Sequence, residues 1–338
     1  MTMDERKLRI LNAVINDYIE TAVPVGSRTI TRKYDMGVSP ATIRNEMSDL
    51  EALGYLAQPH VSAGRVPSEK AYRLYVDMLL TQPRAERDEA VRRFFSERVY
   101  RMEDVAESAA QAISELTHYT ALVMMPGQRK LRISTLQLVP MPRGEALLVI
   151  VTDSGIVRDT VIHVSASLDG DALYAISRML TERFAGRTLS EVQEMLSVYA
   201  QSGGADARVL GGVAELAAQM ERQASVDSVA VGGPHNILNY PEYADTGKAR
   251  AFLTAMETKE KLLTLLRTGG ENVSVRIGEE MGMPEMQDCS VVSARYLIGS
   301  SHRGSVAVIG PTRMPYDKMI GVLSNVGQLL TELLSPED

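Results

Sequence analysis

The sequence predicts an α+β protein: a helical N-terminal unit closed by a short hairpin, then an antiparallel sheet interrupted by a mostly helical insert. Three observations carry this. Up to Leu80, apolar residues recur at helical spacing in short segments, broken by Pro24, Gly37, Gly54 and a polar loop at residues 59–63. From Thr120 the pattern shortens to strands, with Pro126-Gly127, Pro142-Arg143-Gly144 and Asp153-Ser154-Gly155 as turns. Helical spacing returns between residues 168 and 270, and strands resume after it.

Leu8, Leu11, Ile15, Tyr18 and Ile19 give a first helix with one apolar face, which Pro24 ends. Ser27 to Lys33 is a short second helix, and Tyr34-Asp35-Met36-Gly37 is the turn after it. Ser39 then supplies a capping hydroxyl and Pro40 a first-turn residue whose missing N–H costs nothing. Ile43, Met47, Leu50 and Leu53 form the apolar stripe of this third helix. Its opposite side carries Ala41, Arg44, Asn45 and Ser48, flanked by Thr42 and Asp49. Small residues there permit close backbone approach, and a guanidinium beside an amide suits base edges or phosphates.

Gly54 closes that helix, as a residue without Cβ fits the left-handed turn. Tyr55 to Gln58 and Gly64 to Val66 read as two short strands around Pro59-His60-Val61-Ser62-Ala63, a wing that would place His60, Ser62 and Arg65 beside a duplex backbone. The arrangement is a winged helix-turn-helix over residues 1–83, with its last helix at Glu69 to Leu80. A competing reading is that these helices only pack, or meet protein. Local charge favours nucleic acid: between Ser27 and Arg44, Arg28, Arg32, Lys33 and Arg44 face Asp35 alone.

The stretch SPATIRNEMSDLEALGYL followed by QPHVSAGRVPSEKAYRLYVDMLL resembles the heat-inducible transcription repressor HrcA family of bacteria. Val61, Ser68 and Ala71 stand where that family more often has Thr, Thr and Gly. The resemblance implies a repressor that binds an inverted-repeat operator upstream of chaperone operons, and whose activity the GroE chaperonin assists. On that footing Arg44 and Asn45 would approach base edges. Arg28, Arg32, Lys33, Thr42 and Ser48 would fix register on phosphates, with Ser39 and Ala41 beside them, and His60, Ser62 and Arg65 would serve the wing.

The totals bound the alternatives. A chain of 338 residues has room for two or three domains. The net charge of −7 argues against a general basic coat, so duplex binding would depend on a few placed cations and on pairing two copies. Aromatic residues are 5% with no Trp, which disfavours a stacking platform for single strands. A single cysteine, Cys289, excludes an intrachain disulfide framework and a thiolate zinc site, as expected of a cytoplasmic protein. Met1 to Lys7 has no secretory character, and the longest apolar run, Ala146 to Val151, is too short to span a bilayer.

After a boundary near Thr81-Gln82-Pro83-Arg84, Asp88 to Leu116 reads as one long helix with a seam of Phe95, Val99, Met102, Ala106, Ala109, Ile113 and Leu116. It would be a dimer stem or a helix packed on its own domain. Strands over 121–125, 133–139, 146–152 and 156–164, then 273–277, 290–297 and 305–309, with a closing helix from Met319 to Leu333, suit one GAF-like domain split into residues 88–167 and 271–338. Residues 168–270 form the insert, which would be a lid over a sensor pocket or, as favoured here, the dimerising part, because a reader of two half-sites needs symmetric pairing. GGPHNILNYPEYAD at 232–245 resembles the same family.

No cofactor, metal site or enzyme activity is expected. The five histidines (His60, His118, His163, His235, His302) lack ligand spacing, and no Gly-rich phosphate loop opens a helix. An alternative function is a small-molecule sensor acting through the GAF-like domain, for which Thr152, Asp153, His163 and Arg295 are the polar candidates. A third is a scaffold that binds chaperones.

Overall fold

The structure is a computed structural model that describes residues 3–81, 88–96, 105–127, 131–153, 155–165, 168–199, 206–224, 226–268, 270, 272–298 and 302–335. It divides into two compact units, one from residues 1–98, 107–124 and 229–338, the other from 99–106 and 125–228. Both mix helices with antiparallel strands.

The first unit begins with α1 (Glu5–Thr21), α2 (Ser27–Lys33) and α3 (Pro40–Ala52). Asp4 caps α1 by accepting from the Lys7 N–H, and Ser39 caps α3 through the Thr42 N–H. Gly54 takes φ +79° beyond α3, the left-handed geometry expected of it. Ile10, Val14, Ile30, Ile43 and Leu50 are fully buried among the three helices. Burying each such side chain stabilises by about 1.5–3 kcal/mol before entropy is counted. Strands β1 (Leu56–Ala57) and β2 (Val66–Pro67) pair antiparallel, and α4 (Glu69–Thr81) follows.

This helical head is tied to the rest of its unit at two arginines. Arg313 donates to the Ile19 carbonyl at the end of α1 (3.1 Å) and pairs with Glu242. Arg73 on α4 donates to the Val275 carbonyl (2.9 Å) and to Glu280 (3.1 Å). Between them the Tyr72 and Tyr316 rings meet at 5.9 Å.

A five-stranded sheet forms the remainder, in the order β7 (Ser228–Gly232), β3 (Thr120–Met125), β10 (His302–Pro311), β9 (Cys289–Ile298), β8 (Ser274–Ile277). Its central strands are apolar on both sides because helices cover both faces. Leu122, Ala307, Ile309 and Val291 pack with Phe252, Leu262 and Leu265 of α10 (Thr246–Glu257) and α11 (Lys259–Arg267). On β9, Ala294 and the Arg295 carbonyl lie so close to α12 (Tyr316–Leu334) that a side chain at Gly327 would strike the backbone at 2.9 Å.

The second unit carries β4 (Ile133–Met141), β5 (Glu145–Thr152) and β6 (Val157–His163) as a separate antiparallel sheet, with α7 (Gly170–Phe184), α8 (Leu189–Tyr199) and α9 (Asp206–Ala224). Leu136, Leu148, Ile150 and Ile162 meet Leu173, Phe184, Val192 and Val213 in one core. Hydroxyls of α7 close the outer edge of β4: Thr181 bonds both the N–H and the carbonyl of Leu136, and Ser177 accepts from Leu138.

Two expectations therefore change. The strands do not form one sheet, and the intervening unit runs from residue 125 to 228 rather than 168 to 270, with three strands beside its helices. The reason lies in their patterning. β5 alternates half-buried with buried positions, as a one-sided sheet does, whereas β3 is buried at consecutive positions, as a central strand must be. Helices α10 and α11, expected in the insert, pack on the five-stranded sheet instead. In the stretch read as one long helix, α5 (Glu89–Ser96) and α6 (Val105–Thr117) are seen, while Val99 and Met102 of its seam lie outside the described residues, as does 82–84 of the proposed boundary.

Candidate nucleic-acid interface

The outer face of α3 holds the expected cluster. Ala41, Arg44, Asn45 and Ser48 are exposed, and Thr42 is half-buried. Ser39 and Thr42 spend their hydroxyls on the cap, Ser39 accepting from the Thr42 N–H at 3.2 Å with the two oxygens 3.0 Å apart. The Ser48 hydroxyl donates to the Arg44 carbonyl at 3.1 Å. On α2, Arg28 and Arg32 are exposed, and neither they nor Arg44 pairs with a carboxylate among the described residues. Lys33 is engaged instead, its ammonium 2.5 Å from Glu20 and 2.9 Å from Asp17, which together raise its pKa above the ordinary lysine range.

The loop between β1 and β2 projects beside α3. His60, Val61 and Ser62 are exposed at its tip, Val61 fully so at 99%. Gln58 shapes this loop by donating to the Val61 carbonyl (2.9 Å) and the Ala63 carbonyl (3.0 Å). Behind it, Val25 and Arg65 exchange two backbone hydrogen bonds of 2.8 Å, adding a third, one-residue rung to the hairpin. Gly64 permits that approach, since a Cβ there would lie 2.4 Å from the Val25 carbonyl oxygen.

Between helix and loop lies an open cleft of about 470 Å³, bordered by Ser27, Arg44, Ser48, Gln58, Ser62 and Arg65. Its polar lining offers donors of the kind that contact phosphate oxygens. Arg65 enters it already paired. Its Nε and Nη2 lie 2.9 and 2.8 Å from Glu51 on α3, so the guanidinium holds the hairpin to the helix.

Sequence reading missed Gln58, Glu51 and the buried pair of Lys7 and Glu46 beneath α3. Gln58 and Glu51 carried no local signal, because their roles depend on a hairpin and helix meeting in space. Elsewhere, Thr152, Asp153 and His163 fall in the second unit and Arg295 in the first, where it donates to Ser305 (2.5 Å) and the Arg267 carbonyl (2.7 Å). Cys289 is buried against the Tyr243 hydroxyl at 2.7 Å, and burial pushes its thiol up to about 12. Among the described residues, no group of three His, Cys, Asp or Glu side chains could hold a metal ion. No described helix is long and apolar enough to cross a membrane.

Comparison with known proteins bears on the whole chain. A family model described as the HrcA protein C-terminal domain matches residues 103–320. The heat-inducible transcription repressor HrcA of Pelotomaculum thermopropionicum is 39% identical, over 99% of this chain and 97% of its own length. That of Moorella thermoacetica is 40% identical, over 99% and 98%. A crystal structure of a hypothetical protein at 2.2 Å resolution matches 99% of both chains with a TM-score of 0.74 at 28% identity. The chain belongs to the HrcA family.

Proposed function

We propose that this protein is a heat-inducible transcription repressor that binds an inverted-repeat operator of chaperone genes as a homodimer, with its activity modulated by the GroE chaperonin. In this reading residues of the head form a winged helix-turn-helix, α3 enters the major groove, and the β1–β2 loop is the wing. Arg44 and Asn45 address base edges. Arg28, Arg32 and the α3 cap meet phosphates, with His60 and Ser62 on the wing side. The five-stranded sheet with its helices is read as a GAF-like domain, and the unit at 125–228 as the dimerising insert.

The observation that carries this reading is the bare outer face of α3, where Asn45 is exposed and Arg44, without a carboxylate partner among the described residues, borders a polar cleft. Cations without carboxylate partners on an acidic protein mark where an external polyanion supplies the missing charge. The family membership supports the operator class, and the chaperonin partner rests on it alone.

A footprint on the promoters of the organism's chaperone operons, with purified protein and with or without chaperonin, tests this. Protection of two symmetric half-sites, strengthened by chaperonin, is the expected result. Absence of protection under both conditions contradicts it.

A further inference from the structure

α3 buries a carboxylate where an apolar residue would serve. Its inner stripe is Ile43, Glu46, Met47 and Leu50, and Glu46 is only 6% exposed. The first turn of α1 meets it with two cations. Arg6 Nε lies 2.8 Å and Nη2 2.5 Å from one carboxylate oxygen, while Lys7, itself 8% exposed, places its ammonium 2.8 Å from the other. Lys7 also reaches Asp49, one helical turn along α3, at 3.2 Å, and Asp4 at 3.7 Å.

Stability is a weak reason for this arrangement, since well-packed apolar residues generally replace a buried ion pair at no loss. Geometry is a stronger one. Apolar packing is non-directional, whereas a carboxylate that accepts a hydrogen bond from Arg6 on one oxygen and lies in ion-pair contact with Lys7 on the other resists both rolling and sliding. Asn45 and Arg44 precede Glu46 by one and two residues, so the same turn that holds the carboxylate inward presents amide and guanidinium outward. A roll of about 20° would carry side-chain atoms about 5–6 Å from the axis through about 2 Å, enough to break a directed hydrogen bond.

We propose that Glu46, clamped by Arg6 and Lys7, is the positioning residue that sets the rotation of α3 and thereby the sequence selectivity of the Arg44–Asn45 surface. This rests on α3 being the DNA-reading helix. The pair acts through Arg44 and Asn45 and touches no base itself.

The test uses full-length protein and the best duplex that the parent retains from a randomised pool, compared with a scrambled duplex at the same salt. The double variant Lys7→Met/Glu46→Met leaves no buried charge unpaired, because Arg6 and Asp49 can turn to water. It is expected to melt at or above the parent temperature and to bind scrambled duplex as the parent does. Its preference for the selected duplex should fall about tenfold or more. Glu46→Gln keeps the side chain's shape without its charge, and should show the same loss even where the double variant fails to fold. Undiminished preference in a folded variant overturns the positioning role and leaves the DNA-reading assignment standing. A parent that enriches no sequence overturns both.

Discussion

Arg65 lies against Glu51, its guanidinium 2.8 and 2.9 Å from one carboxylate oxygen, so a cation beside the β1–β2 loop is already neutralised within the protein. Replacing Arg65 by Ala should therefore leave the salt dependence of duplex binding almost unchanged, while loosening the hairpin. Glu51→Gln should act oppositely. It leaves the guanidinium uncompensated at the cleft, and the log–log salt slope should steepen by about one unit. Affinity titrations from low to moderate salt decide this, and a slope that falls by one unit in Arg65→Ala would show that Arg65 meets phosphate directly.

On the proposed reading, exposed Arg44 meets base edges. Arg44→Ala should cost about 1–3 kcal/mol on the preferred duplex and much less on a scrambled one. Competition binding measures the difference. Equal losses on both duplexes would move Arg44 from base reading to backbone contact.

Arg32 and Lys33 are adjacent in sequence and unlike in setting. Arg32 has no carboxylate partner among the described residues, whereas Lys33 is shared between Glu20 and Asp17. Arg32→Ala should flatten the salt slope by about one unit, and Lys33→Ala by clearly less. Thermal melting provides the complement, because Lys33→Ala also leaves Asp17, which is 5% exposed, without its cation.

Gly64 has no room for a side chain against Val25. Gly64→Ala should destabilise the head by about 1–3 kcal/mol and misplace the wing, which differential melting and duplex titration would register together. A fully stable variant that still binds would mean that the Val25–Arg65 rung is dispensable.

Much of the head was legible in the sequence, because its signals are local. Ser39-Pro40 marked the start of α3, Gly54 its end, and the apolar spacing fixed which side faces out. Residues whose roles depend on distant partners were not legible. Arg65 reads as an exposed wing cation until Glu51 of the preceding helix is placed beside it, and Glu46 carries no mark of its own until Arg6 and Lys7, about 40 residues earlier, close over it. The sheets failed for a related reason. β3 and β4 are close in sequence, but strand partners are set by burial on one face or both, and β3 joins β10, whose residues lie far along the chain.

The most direct measurement of the central claim is the affinity of full-length protein for an intact inverted repeat against the same duplex with one half-site scrambled. Two copies of the α3 surface reading symmetric half-sites predict binding weaker by about tenfold or more on the damaged duplex, with two chains bound per intact site. Equal affinity for the two duplexes, or one chain per intact site, would contradict it.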